Sequence, residues 1–148
     1  MNQIPEFHDS LGAHIGRVSK LMGSVLMQHL KAAGYEMNLD QWIVMVHLWR
    51  QDGQNQRWLC EFAGQSKTSV TRAINVLESQ NVVIRISDKE DRRNKLIYLT
   101  NKGKNLKEDM MPMLEEMKGK VTKGIPEGEI EVCKSVLRQM FVNLRAHI

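Results

Sequence analysis

A mainly α-helical fold, about six helices interrupted by a single two-stranded β-hairpin, is predicted by three observations on this chain. Apolar residues recur at steps of three and four through several long stretches. Two shorter helical stretches lie either side of one tight turn at Gly64-Gln65. Two β-branched and aromatic runs then flank the charged octet Asp88 to Lys95. In that order the elements make a winged helix-turn-helix with helical segments before and after it.

The first helix is read from "LGAHIGRVSKLMGSVLMQHLKAAG", where Leu11, Ile15, Val18, Met22, Val25/Leu26 and Leu30 form one stripe and Gly34 stands at the C-cap position. "NLDQWIVMVHLWRQDG" is apolar nearly all round, which suits a helix buried in the middle of the domain, and Asp52-Gly53 closes it. "NQRWLCEFAG" turns Trp58, Leu59 and Phe62 inward and leaves Gly64 free for a left-handed stop. Ser66 then caps "SKTSVTRAINVLESQ", whose buried stripe is Val70, Ile74 and Leu77 with Ala73 beside it. After the hairpin, Thr100 caps a helix carrying Leu106, Met110, Met113/Leu114, Met117 and Val121 on one face, with Pro112 expected to kink it. Pro126 opens the last helix, whose stripe is Ile130, Cys133, Leu137, Met140/Phe141 and Leu144.

Charge locates the function better than its total does. The net value is only +4, but Ser66 to Lys104 holds nine Lys/Arg against four Asp/Glu, leaving the rest of the chain at −1. A local positive excess over a helix-turn-helix and its wing fits a phosphate-binding surface, and double-stranded DNA is the expected partner. The exposed face of the second helix offers Ser66, Lys67, Thr68, Ser69, Thr71, Arg72 and Asn75. Short hydroxyls let the backbone approach the duplex, while Lys67 and Arg72 reach phosphates or guanine edges. At the hairpin tip Arg92, Arg93 and Lys95 carry the charge, and an arginine on a rigid wing can enter the narrow, negative minor groove. Asp91 would repel phosphate, so it is expected to orient Arg93 through a carboxylate–guanidinium pair.

Other chemistries lack their residues. Cys60 and Cys133 sit far apart, without CxxC or Cys/His spacing, and each is read as a small buried hydrophobe. The five histidines show no HxxxH-type spacing, so no metal is expected. No Gly-rich phosphate loop, Ser/His/Asp set or paired catalytic carboxylates can be assembled, so neither an enzyme nor a cofactor is expected. With no apolar run of about 18 residues and no basic-then-apolar leader, the expected place is the cytoplasm, away from membranes.

The run "SKTSVTRAINVLESQNVVIRISDKEDRRNKLIYLTNKGK" resembles the helix-turn-helix and wing of the multiple antibiotic resistance regulator (MarR) family. It has the D-x-R wing motif at Asp91, Arg92 and Arg93, the L-x-x-L-T-x-x-G closure at Leu96, Leu99, Thr100 and Gly103, and the K-[ST]-[ST]-V-T-R pattern from Lys67 to Arg72. Helix order on both sides matches, so the resemblance spans nearly the whole chain. It implies that Arg93 is the minor-groove arginine and Asp91 its orienting acid. It further implies one domain over 1–148, in which 1–36 and 101–148 pair with a second copy and 37–100 is the DNA-binding lobe. The homodimer would bind a pseudo-palindromic operator. Relatives that sense peroxides carry a cysteine near the start of the first helix, which this chain lacks.

In many members a pocket for an effector lies between the dimerisation helices and the DNA-binding lobe. Here His14, Arg17, Trp42, Met45 and Trp49 would line it for an aromatic or apolar small molecule, or the tryptophans and methionines simply fill the core. The expected function is a ligand-responsive repressor. The competing reading is a winged-helix protein-interaction module, or an architectural DNA-binding protein without an effector.

Overall fold

The computed structural model describes residues 8–63 and 66–147. It contains six helices and a small sheet: α1 (Leu11–Ala32), α2 (Leu39–Arg50), β1 (Gln54–Asn55), α3 (Gln56–Phe62), α4 (Lys67–Ser79), β2 (Val83–Ser87), β3 (Lys95–Leu99), α5 (Asn101–Val121) and α6 (Glu127–Arg145). The left-handed stop expected at Gly64, and the tight turn with Gln65, lie outside the described residues.

Local chemistry sets the boundaries. Ser10 accepts the Ala13 N–H to open α1, and Gly34, at φ +85°, lets the Tyr35 N–H reach back to the Leu30 carbonyl at 2.9 Å. A reciprocal capping box between Asn38 and Gln41 opens α2. Ser66 accepts the Ser69 N–H at 3.1 Å to open α4, which closes where Asn81 turns left-handed (φ 58°) and the Val82 N–H bonds the Leu77 carbonyl.

The chain divides into two compact units, Met1–Met110 and Met111–Ile148, the division falling in α5 just before Pro112. The core of the first is built from Leu26 and Leu30 of α1, Val44, Met45 and Leu48 of α2, Leu59 of α3, and Val70, Ile74 and Leu77 of α4. Val83, Ile97, Leu106 and Met110 also belong to it. The expected α4 stripe is therefore the buried one. Trp42 and Trp49 meet edge to face at 5.4 Å between centroids, and Trp58 stacks on Phe62 at 4.5 Å.

Sequence patterning predicts a two-stranded wing, whereas the sheet has three antiparallel strands in the order β1-β3-β2. The third is Gln54–Asn55, pairing with Ile97 and Leu96. Two polar residues show no alternation to read; they become a strand because β3 offers them a free edge. The exit of the wing is fixed by Thr100, whose hydroxyl donates to the Asn81 carbonyl at 2.6 Å and accepts the Gly103 N–H at 3.2 Å, the cap expected for α5. Gly103 is required there, since a Cβ would collide with the Val82 carbonyl, and its own carbonyl accepts the Trp49 indole N–H at 2.9 Å.

The second unit holds the end of α5 and all of α6. No residue of α6 is buried, and Val132, Val136, Leu137, Phe141, Val142 and Leu144 are all exposed. Cys133, read from sequence as a buried small hydrophobe, is exposed, because it lies on a helix with no buried residue. Cys60 is only half-buried. The α1 stripe is split: Leu26 and Leu30 are buried, while Leu11, Val18, Met22 and Val25 are exposed.

Candidate nucleic-acid interface

Packing of Val70, Ala73, Ile74 and Leu77 turns the opposite face of α4 to solvent. Lys67, Thr68, Arg72 and Asn75 are exposed on it and Thr71 is half-exposed. Ser66 and Ser69 have another duty. Their hydroxyls bond each other at 2.9 Å while Ser66 caps the helix, so both serve first to hold the α4 N-terminus.

The wing tip is a compact turn. The Asp88 N–H donates to the Asn94 carbonyl, the Asn94 N–H to the Asp91 carbonyl, and the Asp88 carboxylate accepts the Glu90 N–H. Asp91 accepts the backbone N–H of Arg93 at 3.0 Å, and no carboxylate–guanidinium pair forms between these two side chains. The acid's contact with Arg93 is thus to the main chain, as in an Asx turn. That leaves the Arg92 and Arg93 guanidinium groups unpaired among the described residues and both exposed. Lys95 points across the hairpin to the Ser87 hydroxyl at 2.7 Å.

Helix and wing border a common cleft of about 560 Å³, lined by Lys67, Arg93 and Lys95 together with Arg57 of α3. Four cations meet one acid there, Glu61, which is held by Arg57 at 3.3 Å. The α4 N-terminus adds its partial positive charge at the same place. Such a concavity attracts a polyanion and gives it hydrogen-bond donors.

Three residues that sequence reading did not single out hold this arrangement. Arg85 reaches inward from β2 and bonds Glu78 at 2.9 Å, Gln56 at 3.1 Å and Asn75 at 2.5 Å, while its own N–H donates to the second Glu78 oxygen. Arg85 thus belongs to a network that locks wing, α3 and α4 together, and it is not a free phosphate contact. The clue was its place in "VVIRIS": period-2 alternation puts it on the same face as the buried Val83.

The residues expected to bind an effector fall into two groups. His14 and Arg17 are exposed on α1 and bonded to each other at 3.0 Å. Trp42 and Met45 are core residues, and Trp49 is half-buried and anchored to Gly103. His47, edge-on to Trp58 at 5.7 Å, has its pKa lowered by burial and, secondarily, by the Arg50 charge. Among the described residues no group of three or more His, Cys, Asp or Glu is placed to hold a metal ion, and no helix is long and apolar enough to cross a membrane.

Comparison with known proteins places this geometry. The profile of the SarA/Rot transcriptional regulators matches residues 27–110. The transcriptional regulator PA3341 is 31% identical, with a TM-score of 0.79 over 92% of this chain and 98% of that one. A MarR transcriptional regulator from Methanosarcina mazei Go1 is 25% identical, with a TM-score of 0.82 over 93% and 98%. A Listeria monocytogenes structure, described as a MarR family regulator complexed with 26mer DNA, shares the fold at 24% identity and a TM-score of 0.83, over 91% of this chain and 89% of its own.

Proposed function

Because the chain belongs to the SarA/Rot family of transcriptional regulators and has the winged-helix fold of MarR regulators, we propose that it is a sequence-specific DNA-binding repressor acting as a homodimer on a pseudo-palindromic operator. The observation that carries this reading is the cationic cleft shared by α4 and the wing. Around it, Lys67, Thr68, Thr71, Arg72 and Asn75 of α4 would face the major groove, Ser66 and Ser69 would hold the helix end against the backbone, and Arg93 would enter the minor groove with Arg92 and Lys95 on flanking phosphates. A related fold has been seen with DNA, in the Listeria monocytogenes complex.

The dimer rests on the apolar faces of α1 and α6, which water would otherwise cover. Residues 1–36 and 101–148 form the pairing region, and 37–100 the DNA-binding lobe. Two-fold symmetry then sets the recognition helices about 34 Å apart, one turn of the duplex. An aromatic or apolar effector held near His14, Arg17, Trp42, Met45 and Trp49 would favour a different spacing and release the operator. The reading involves no catalytic step and places the protein in the cytoplasm, with its DNA.

The test is a fluorescence-anisotropy titration against the DNA upstream of the chain's own gene and against a scrambled duplex, at two salt concentrations. Tight, salt-sensitive binding to the upstream DNA alone is expected. Equal affinity for both duplexes would favour an architectural DNA binder, and binding to neither would favour a protein-interaction module.

A further inference from the structure

Asn75 lies one and two turns along α4 from Arg72 and Thr68, on the same exposed face, and its amide is not free to rotate. Nη2 of Arg85 sits 2.5 Å from Asn75 Oδ1. A guanidinium has only donors, so the Asn75 atom that faces it has to be the carbonyl oxygen, and chemistry fixes an orientation that is otherwise a matter of assignment. Arg85 is itself immobile. Nη1 is held by Glu78 at 2.9 Å and Nε by Gln56 at 3.1 Å, and its side chain is only 20% exposed.

From this geometry we infer that Asn75 reads DNA as a donor only, preferring guanine, and that Arg85 is the positioning residue that makes it so. The inference rests on the DNA-binding reading above. An asparagine recognises adenine by using both ends of its amide, accepting from N6 and donating to N7. Here the oxygen already accepts from a cation, which takes one of its two lone pairs and disfavours a second donor, leaving the NH2 group for the duplex. Two donors fit the guanine edge, whose N7 and O6 both accept; thymine offers one acceptor, and cytosine presents a donor that the NH2 would oppose. One arginine, outside the contact surface, thereby selects the base that another residue reads.

The experiment is a selection from a random-sequence duplex pool with the full-length protein, its Asn75→Ala, Asn75→Asp and Arg85→Met variants, and circular dichroism on each. In the wild type, the operator position that Asn75→Ala flattens is expected to carry guanine, favoured about tenfold over adenine. Asn75→Asp keeps the bond to Arg85 but has no donor, so it should lose the guanine preference at the same position with an unchanged spectrum. Arg85→Met frees the carbonyl and should move the preference towards adenine. Adenine at that position in the wild type would overturn the inference, as would guanine preference surviving in a folded Arg85→Met, or an Asn75→Ala that flattens no position. Should Arg85→Met fail to fold, the base that the wild type selects at the position flattened by Asn75→Ala decides alone. A wild type that enriches no sequence would overturn the DNA-regulator reading and this inference with it, whereas an enriched operator with adenine there would sink the inference only.

Discussion

A single carboxylate oxygen of Asp52 accepts the Leu99 N–H at 2.7 Å and the Gly53 N–H at 2.9 Å. Gln54 pairs with Ile97, so Asp52 stands opposite Leu99 and its side chain continues the ladder past the end of β1. Gly53, at φ +70°, takes the turn beneath the Tyr98 ring, where any Cβ would come within 2.7 Å of it.

Asp52→Ala is therefore expected to destabilise the fold by about 1 to 3 kcal/mol, the cost of leaving a buried strand N–H unpaired. Denaturant melts of the two proteins check this. An unchanged midpoint would mean that the wing does not depend on that oxygen.

Arg93→Ala should weaken operator binding by about 1 to 3 kcal/mol and leave the fold intact, because its guanidinium makes no hydrogen bond or ion pair among the described residues. Anisotropy with the upstream duplex measures the first and circular dichroism the second. Unchanged affinity would remove the wing from the interface.

Leu137 is 42% exposed in the single chain, so a charge there costs the monomer little, but in a pairing face it would be buried without a partner. Leu137→Asp is expected to convert a dimer to a folded monomer in sedimentation velocity, with operator affinity falling at the same time. A variant that still sediments as a dimer would move the pairing surface elsewhere.

His47 gives a pH dependence of definite sign. Burial first, and the Arg50 charge second, lower its pKa in the folded chain, so the unfolded chain, near 6.5, takes up the proton first. Stability from the neutral ring is complete above about pH 6.5 and is lost as pH falls through that value towards the lowered one. His47→Gln should flatten this part of the profile in thermal melts at pH 8, 6.5 and 5. Parallel profiles for the two proteins would show that the drop arises from other groups.

Elements fixed by neighbours in sequence were legible before the structure. Ser66 and Thr100 announce their caps, the Val70–Ile74–Leu77 stripe announces the buried face of α4, and the apolar runs either side of Asp88–Lys95 announce the hairpin. What was hidden depends on partners far along the chain. The Gln54–Asn55 strand exists only because β3 is beside it, and Arg85 looks like one more surface cation until Gln56, 29 residues earlier, is brought to its Nε. The bond that Asp91 makes was not legible, since sequence cannot distinguish a bond to the Arg93 side chain from one to its N–H. The α6 stripe was read correctly as apolar, yet periodicity does not say which molecule covers it.

All three tryptophans, Trp42, Trp49 and Trp58, belong to α2 and α3, and both tyrosines, Tyr35 and Tyr98, lie in the same unit of the molecule. The helical unit from Met111 onward contains neither, and it is optically silent above about 290 nm, where indole alone emits strongly on excitation. Intrinsic fluorescence thus reports on the winged lobe, whereas far-ultraviolet dichroism reports on every helix. Following one unlabelled sample by both signals separates melting of the DNA-reading half from melting of α6. A transition seen in dichroism but not in emission would identify the C-terminal helices as the first to come apart.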